Sequence, residues 1–184
     1  MMRRLLVLLG TLTTYTGELA GQTPYAVAGL GIGRQSHRFP IQTNPPTDSY
    51  AVSSTTNVLA AGGLGVRVSD HFGIDLSLRS TVEFGLPFRA ISVGPTIRWA
   101  QHPRVSVRGG LGRIQGSEAV VCVNSTSSCP AYRSEWLSGF EVSVGLEFRQ
   151  AAKWSLGPAI WWAQSIGGKT QYRPLGLGAQ IRLL

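Results

Sequence analysis

Residues 58–82 read VLAAGGLGVRVSDHFGIDLSLRSTV. From Ile74 the alternation is strict. Ile74, Leu76, Leu78 and Val82 fall on one face of an extended chain, and Asp75, Ser77, Arg79 and Thr81 on the other. Before the turn, Val58, Leu64, Val66 and Val68 share a face, with Gly63, Gly65 and Arg67 opposite. Two half-apolar strands separated by Ser69-Asp70-His71-Phe72 read as a β-hairpin. Placing Val68 opposite Ile74 predicts a loop over Asp70–Phe72 and sets Arg67 beside Asp75 on the polar face.

The same plan repeats along the chain. In YAVAGLGIGRQ (residues 25–35), Ala26, Ala28, Leu30 and Ile32 alternate with Gly29, Gly31 and Gly33. Ile91, Val93, Ile97 and Trp99 alternate with Ser92, Gly94, Thr96 and Arg98. Val105, Val107, Gly109 and Leu111 oppose Ser106 and Arg108. Phe140, Val142, Val144, Leu146 and Phe148 oppose Glu141, Ser143, Gly145 and Glu147. Trp154, Leu156, Ile160 and Trp162 form the next apolar face. Leu175, Leu177, Ala179, Ile181 and Leu183 form the last, across from Gly176, Gly178, Gln180 and Arg182. Eight strands result. Tight connections follow the second, fourth and sixth, at residues 69–72, 101–103 and 150–153. Long polar loops are predicted at about residues 37–56 and 115–134. Short turns at one end and longer loops at the other is the pattern of a transmembrane β-barrel.

Charge placement bears on what lies outside. The apolar faces carry no Lys, Arg, Asp or Glu. An Arg or Lys facing mid-bilayer costs roughly 2–4 kcal/mol, so lipid would demand this, although a dry soluble core would too. The polar faces separate the two cases. They combine glycine and small residues with Arg67, Asp75, Arg79, Arg98, Arg108, Glu141, Glu147 and Arg182. A narrow lumen suits glycine for space and arginine–carboxylate pairs for mutual satisfaction. Repeated strand glycines are read as room for Arg and Glu reaching across that lumen. Trp99, Phe148 and Trp154 fall beside the tight turns, and Phe88, Trp136 and Trp162 near the loops, as two interfacial girdles. Pro95 and Pro158, each after a glycine, fall mid-strand on the lipid side, and a bulge at Gly94 and Gly157 is expected there. The competing architecture is a soluble barrel similar to a lipocalin, with the apolar faces turned inward.

Composition narrows the partners. Lys and Arg outnumber Asp and Glu by 17 to 9, a net charge of +8, yet the basic residues are scattered through strands. That dispersion argues against nucleic acid as a partner. No run of 18 apolar residues indicates a membrane-spanning helix. Residues 1–22, with Met1-Met2-Arg3-Arg4 ahead of a leucine-rich segment, read as a secretory signal, leaving 23–184 as one domain.

The units Gly63–Ile74 (GLGVRVSDHFGI) and Gly145–Arg149 (GLEFR) resemble the strand–turn–strand units of the small outer-membrane barrels of OmpA, OmpX and opacity type. The resemblance implies an all-β, eight-stranded antiparallel up-and-down transmembrane barrel. It also implies outer-membrane lipid as surroundings, the barrel-assembly machinery as a partner in insertion, and a monomer.

Little in the chain points to catalysis. Ser36 and His37 are adjacent and so point to opposite faces of a strand, which prevents a nucleophile–base pair of lipid-hydrolase kind. Asp75, Glu141 and Glu147 read as partners of lumen arginines and not as an acid–base pair. No phosphate-binding loop, dinucleotide fingerprint or zinc spacing is present, so no cofactor, metal site or catalytic residue is expected. The expected role is a side-chain-filled barrel whose loops serve adhesion, interaction with an extracellular partner, or envelope integrity. Alternatives are a narrow, weakly anion-preferring channel, a lipid-modifying enzyme, and a soluble ligand-binding barrel. Cys122 and Cys129 frame CVNSTSSC in the second long loop, and export would pair them as a disulfide. Peptide mapping of the secreted-pathway product without reductant should recover one cross-linked peptide holding both cysteines; two alkylatable thiols would refute the pairing.

Overall fold

The computed structural model describes residues 22–40, 50–82, 88–99, 103–116, 136–151, 153–167 and 171–183. They form eight strands: β1 (Thr23–Pro40), β2 (Tyr50–Arg67), β3 (Phe72–Thr81), β4 (Phe88–Trp99), β5 (Arg104–Gly116), β6 (Trp136–Ala151), β7 (Trp154–Ser165) and β8 (Gln171–Leu183). Each strand pairs antiparallel with the next, and β8 closes on β1 from Ala26↔Leu183 to Arg38↔Gln171. The sheet is a closed up-and-down barrel, and among the described residues no helix is long and apolar enough to cross a membrane. Closure removes every free edge in the wall, which an apolar solvent requires.

The alternation faces as a membrane barrel demands. Leu76, Val144 and Ile160 point outward and are 40%, 44% and 54% exposed, whereas Glu141 is 2% exposed in the interior. Leu30, Ile32, Ile74, Val93, Leu146 and Leu177 extend the exposed apolar belt around the wall. Soluble monomers rarely leave a contiguous patch of this kind in water. The fold is that of a transmembrane β-barrel, and the soluble arrangement with apolar faces inward is not what the chain adopts. Trp99 and Phe148 lie exposed at the turn end, with Trp154 half-buried beside them. Trp136 and Trp162 are half-buried near the loop end, Trp162 meeting Phe140 edge-on at 5.2 Å. Phe88 leaves that girdle: it is fully buried inside the barrel. Its even number puts it on the face of Ser92 and Arg98, opposite Ile91 and Val93.

Four local expectations need correction. In the first hairpin Val66, not Val68, lies opposite Ile74, and Gly65, not Arg67, lies opposite Asp75. The shift is two residues, so every side chain keeps its face. The wider turn is held by Ser69, whose carbonyl and hydroxyl both accept from the Phe72 amide, while the Val68 and Ser69 amides donate to the Phe72 carbonyl. Second, β1 and β2 stay paired as far as Pro40↔Tyr50, so most of the predicted 37–56 loop is strand. Thr, Val and Tyr in YAVSSTTNV favour extended structure even where both faces are polar.

Third, the two strand prolines need no bulge. Register is unchanged across Gly94-Pro95 and Gly157-Pro158, and only the ladder on one side opens, toward β5 and β6 respectively. At both sites a Cβ on the glycine would collide with a carbonyl of the facing strand, Gly109 or Leu146. The dipeptide therefore works as a unit: glycine lets the neighbour in, and proline's missing N–H falls where the ladder is already interrupted. The irregularity in β6–β7 sits instead between Arg149 and Ala151, beside the turn. Fourth, the glycines of β1 do not make room for charges across the lumen. A Cβ on Gly29 or Gly31 would strike the backbone of β8, so they permit close strand approach.

Leu76→Arg distinguishes lipid from water outside. In bilayers it should lower folding stability by roughly 2–4 kcal/mol, read from urea unfolding of the vesicle-inserted barrel. A change within about 0.5 kcal/mol, usual for a water-exposed site, would deny the belt its role.

Candidate functional site

Among the described residues, chemistry-bearing side chains converge in the interior, which is layered along the barrel axis. At the loop end an apolar and aromatic group fills the interior beside the buried polar Gln35, His37, Asn57 and Ser165. Leu59, Phe88, Ala90, Ile114, Trp161, Ala163 and Tyr172 form a buried cluster, with Leu137 packed against it. Phe88 stacks on Trp161 at 6.2 Å between ring centroids, and His37 meets Tyr172 edge-on at 5.0 Å. The Tyr172 hydroxyl donates to the Gly116 carbonyl at 3.0 Å, and the Ser165 hydroxyl accepts from the Tyr172 amide at 2.9 Å. These buried side chains form an aromatic plug at the loop end of the lumen.

Below it Glu141 from β6 gathers partners from β3, β4 and β5. Arg79 Nε donates to Oε1 at 2.8 Å, and Arg108 Nη1 lies 3.3 Å from the same oxygen. The Ser92 hydroxyl donates to Oε2 at 3.0 Å. Arg79 also lies over the Trp161 ring at 4.7 Å, which ties the charged layer to the plug. Arg108 Nη2 donates to the Ser92 carbonyl at 2.8 Å.

The turn end forms the third layer. The Asp75 carboxylate accepts from the Tyr25 and Thr96 hydroxyls, and Arg108 Nε lies 4.0 Å from it. Arg98 and Arg182 each hold their guanidinium 4.7 Å from the centre of the Tyr25 ring. Arg182 pairs with Glu147 at 2.8 Å. Arg67 faces Gly73 across the hairpin and has no ion pair among the described residues; the Arg67–Asp75 neighbourhood inferred from the turn is displaced by the two-residue register. Arg98 likewise lies near Tyr25 without a carboxylate in ion-pair contact.

The structure thus brings Arg79, Arg108, Asp75 and Glu141 into one network and places Arg67, Arg98 and Glu147 nearer the turns. Tyr25, Trp161 and Tyr172 carry no role in the sequence reading, which places Phe88 in the lipid-facing girdle instead. Their parity was the available signal: Tyr25 precedes the outward Ala26, and Trp161 lies between the outward Ile160 and Trp162. Arg182 lies on the polar face that its phase predicts and is the ion-pair partner of Glu147. His37 points inward and is buried, while its neighbour Ser36 belongs to the opposite face, so the two form no nucleophile–base pair. Among the described residues no group of three or more His, Cys, Asp or Glu is placed to hold a metal ion. Cys122 and Cys129 lie outside the described residues, as do residues 1–21.

Between the charged layers is a cavity of about 40 Å³, bounded by Asp75, Arg79, Thr96, Ser106, Arg108 and Arg182 among others. That is room for a few waters at most.

No family model and no curated protein sequence matches the chain. Solved structures do resemble it. Neisserial surface protein A superposes with a TM-score of 0.57 at 12% identity, covering 89% of this chain and 99% of that one. The N-terminal β-barrel domain of Pseudomonas aeruginosa OprF gives 0.55 at 14% identity, covering 89% and 100%. Ail, the attachment invasion locus protein of Yersinia pestis, gives 0.51 at 17% identity, covering 86% and 99%. At these identities the likeness is one of fold. The fold is that of small eight-stranded outer-membrane barrels.

Glu141→Gln tests the central network. Removing the one negative charge between two guanidiniums should cost about 3–5 kcal/mol of folding stability in detergent micelles. A loss below about 1 kcal/mol would mean that lumen water, and not Glu141, neutralises Arg79 and Arg108.

Proposed function

We propose that this protein is a non-conducting barrel of a bacterial outer membrane that displays loops at the cell surface for adhesion or interaction. The observation that carries this reading is the aromatic plug. Phe88, Trp161 and Tyr172 are fully or nearly fully buried at the loop end of the lumen, which in this reading they close. Eight strands leave an interior that side chains can fill.

Two further observations support loop display. The β1–β2 ladder continues to Pro40↔Tyr50, whereas β2 meets β3 only from Leu59 onward. This hairpin therefore rises past the end of β3. Arg38 braces it from over the Tyr50 ring at 4.4 Å, and Arg34 donates to the Ser54 hydroxyl at 3.0 Å. In this reading residues 1–22 are removed on export and the barrel-assembly machinery inserts the rest as a monomer. The tight turns then face the periplasm, and a Cys122–Cys129 disulfide stiffens the longest loop. The structurally similar proteins include one described as a surface protein and one as an attachment invasion locus protein, which fits surface display.

Planar-bilayer recording tests the plug, and protease added to intact cells tests display. The wild type should give no discrete conductance steps, and a Phe88→Ala, Trp161→Ala double variant should gain them. External protease should cut within residues 117–135 and leave the heat-modifiable barrel intact. Steps from the wild type would favour the narrow channel. Altered lipid A on overexpression would favour the lipid-modifying enzyme, and a loop resistant in intact cells but cut in lysed ones would refute display.

A further inference from the structure

Among the described residues, the turn end of the lumen holds more positive charge than its carboxylates balance. Inward positions of β2, β4, β5 and β8 place Arg67, Arg98, Arg104 and Arg182 there. They surround Glu147, which is the cross-strand partner of Arg104 and the ion-pair partner of Arg182. Arg67 lies within the fields of Arg98 and Arg104, and of the carboxylates of Asp70 and Glu147. Of the other nearby carboxylates, Asp70 lies exposed in the first turn without an ion pair to Arg67, Asp75 is already engaged by Tyr25 and Thr96, and Glu141 by Arg79 and Arg108.

The arginines are also held in place. Arg98 and Arg182 share the ring of Tyr25, which keeps two like charges close together. The Arg98 backbone is fixed by His71 of the first turn: the Arg98 amide donates to the His71 carbonyl at 2.9 Å, and His71 Nδ1 donates to the Arg98 carbonyl at 3.1 Å. Arg98 is 3% exposed, yet among the described residues its Nε and Nη2 have no hydrogen-bond partner, nor has Arg67 Nε. Buried guanidinium donors without acceptors are costly, and more so beside other cations. Arg67 and Arg104 are half-buried, so the cluster can be reached from the turn side.

We propose that this mouth binds a tetrahedral oxyanion of the phosphate class, received by Arg67 and Arg98 with Arg182 adding charge. Planar guanidinium forks match such oxygens two at a time, which a halide cannot exploit. The phosphate can come free from solution or from a phospholipid headgroup of the adjoining leaflet.

The test uses the barrel refolded in a non-ionic detergent and titrated with inorganic phosphate, with chloride at matched ionic strength as reference. The thermal unfolding midpoint is read from heat-modifiable gel mobility. Phosphate should raise the midpoint saturably in the wild type. Arg98→Gln should bind about tenfold more weakly, Arg67→Gln should also weaken binding, and Arg113→Gln, an exposed arginine of the same barrel, should not. Should Arg98→Gln fail to refold, Arg67→Gln decides the outcome, because Arg67 is half-exposed and lacks an ion pair. Phosphatidylglycerol in the micelle separates the sources: if it abolishes the phosphate response the headgroup occupies the site, and if it does not the free anion does. Equal responses to phosphate and chloride, a response that never saturates, or one unchanged in both variants would overturn the proposal.

Discussion

A peptide group facing hydrocarbon has nowhere to place its hydrogen bonds except on a neighbouring strand. That constraint accounts for the closure of β8 onto β1, and closure accounts for much else. Once the sheet is a cylinder, every strand has one face outside and one inside with no exception at an edge. The outer face becomes a belt of Leu, Ile and Val, and the inner face shares a narrow axis with seven other strands. Even the prolines obey it. Pro95 and Pro158 sit where one ladder is interrupted while the other stays intact, so the wall thins locally without opening.

The narrow axis in turn dictates how the lumen is filled. Charges drawn into it must find partners, because a buried ion left alone is strongly unfavourable. Glu141 answers this for Arg79 and Arg108, and Glu147 for Arg182. The loop end uses the other solution and fills space with apolar rings. Arg79 over Trp161 joins the two regimes, so the plug and the charged layers form one packed column. The turn end is where pairing is incomplete, and it is also the end that the shortest connections leave most accessible.

Much of this architecture is legible in the chain because the signal is local. Eight runs of alternating polarity, charge kept off the apolar phase in mid-strand, and connections of unequal length are properties of neighbouring residues. They are enough to name an eight-stranded barrel and to say which side chains face inward. What fails is equally specific. The first hairpin is misregistered by two residues because side-chain phase cannot distinguish a shift of two from none; the Ser69 hydrogen bonds in the turn settle it. The strands past His37 are missed because above the apolar belt neither face is greasy, and the periodic signal vanishes while the ladder continues. Phe88 is misassigned because aromatic type at a strand end was weighed above its parity.

The amino-acid order therefore carries the phase of every strand, and with it the choice between lipid outside and polar axis inside. It does not carry the meeting of Arg79, Arg108, Ser77 and Ser92 on one carboxylate of β6, nor the shared use of Tyr25 by Arg98 and Arg182. Those contacts join strands far apart in the chain across the width of a closed cylinder. Their geometry depends on how all eight strands are staggered when the ring shuts, and no single segment contains that information.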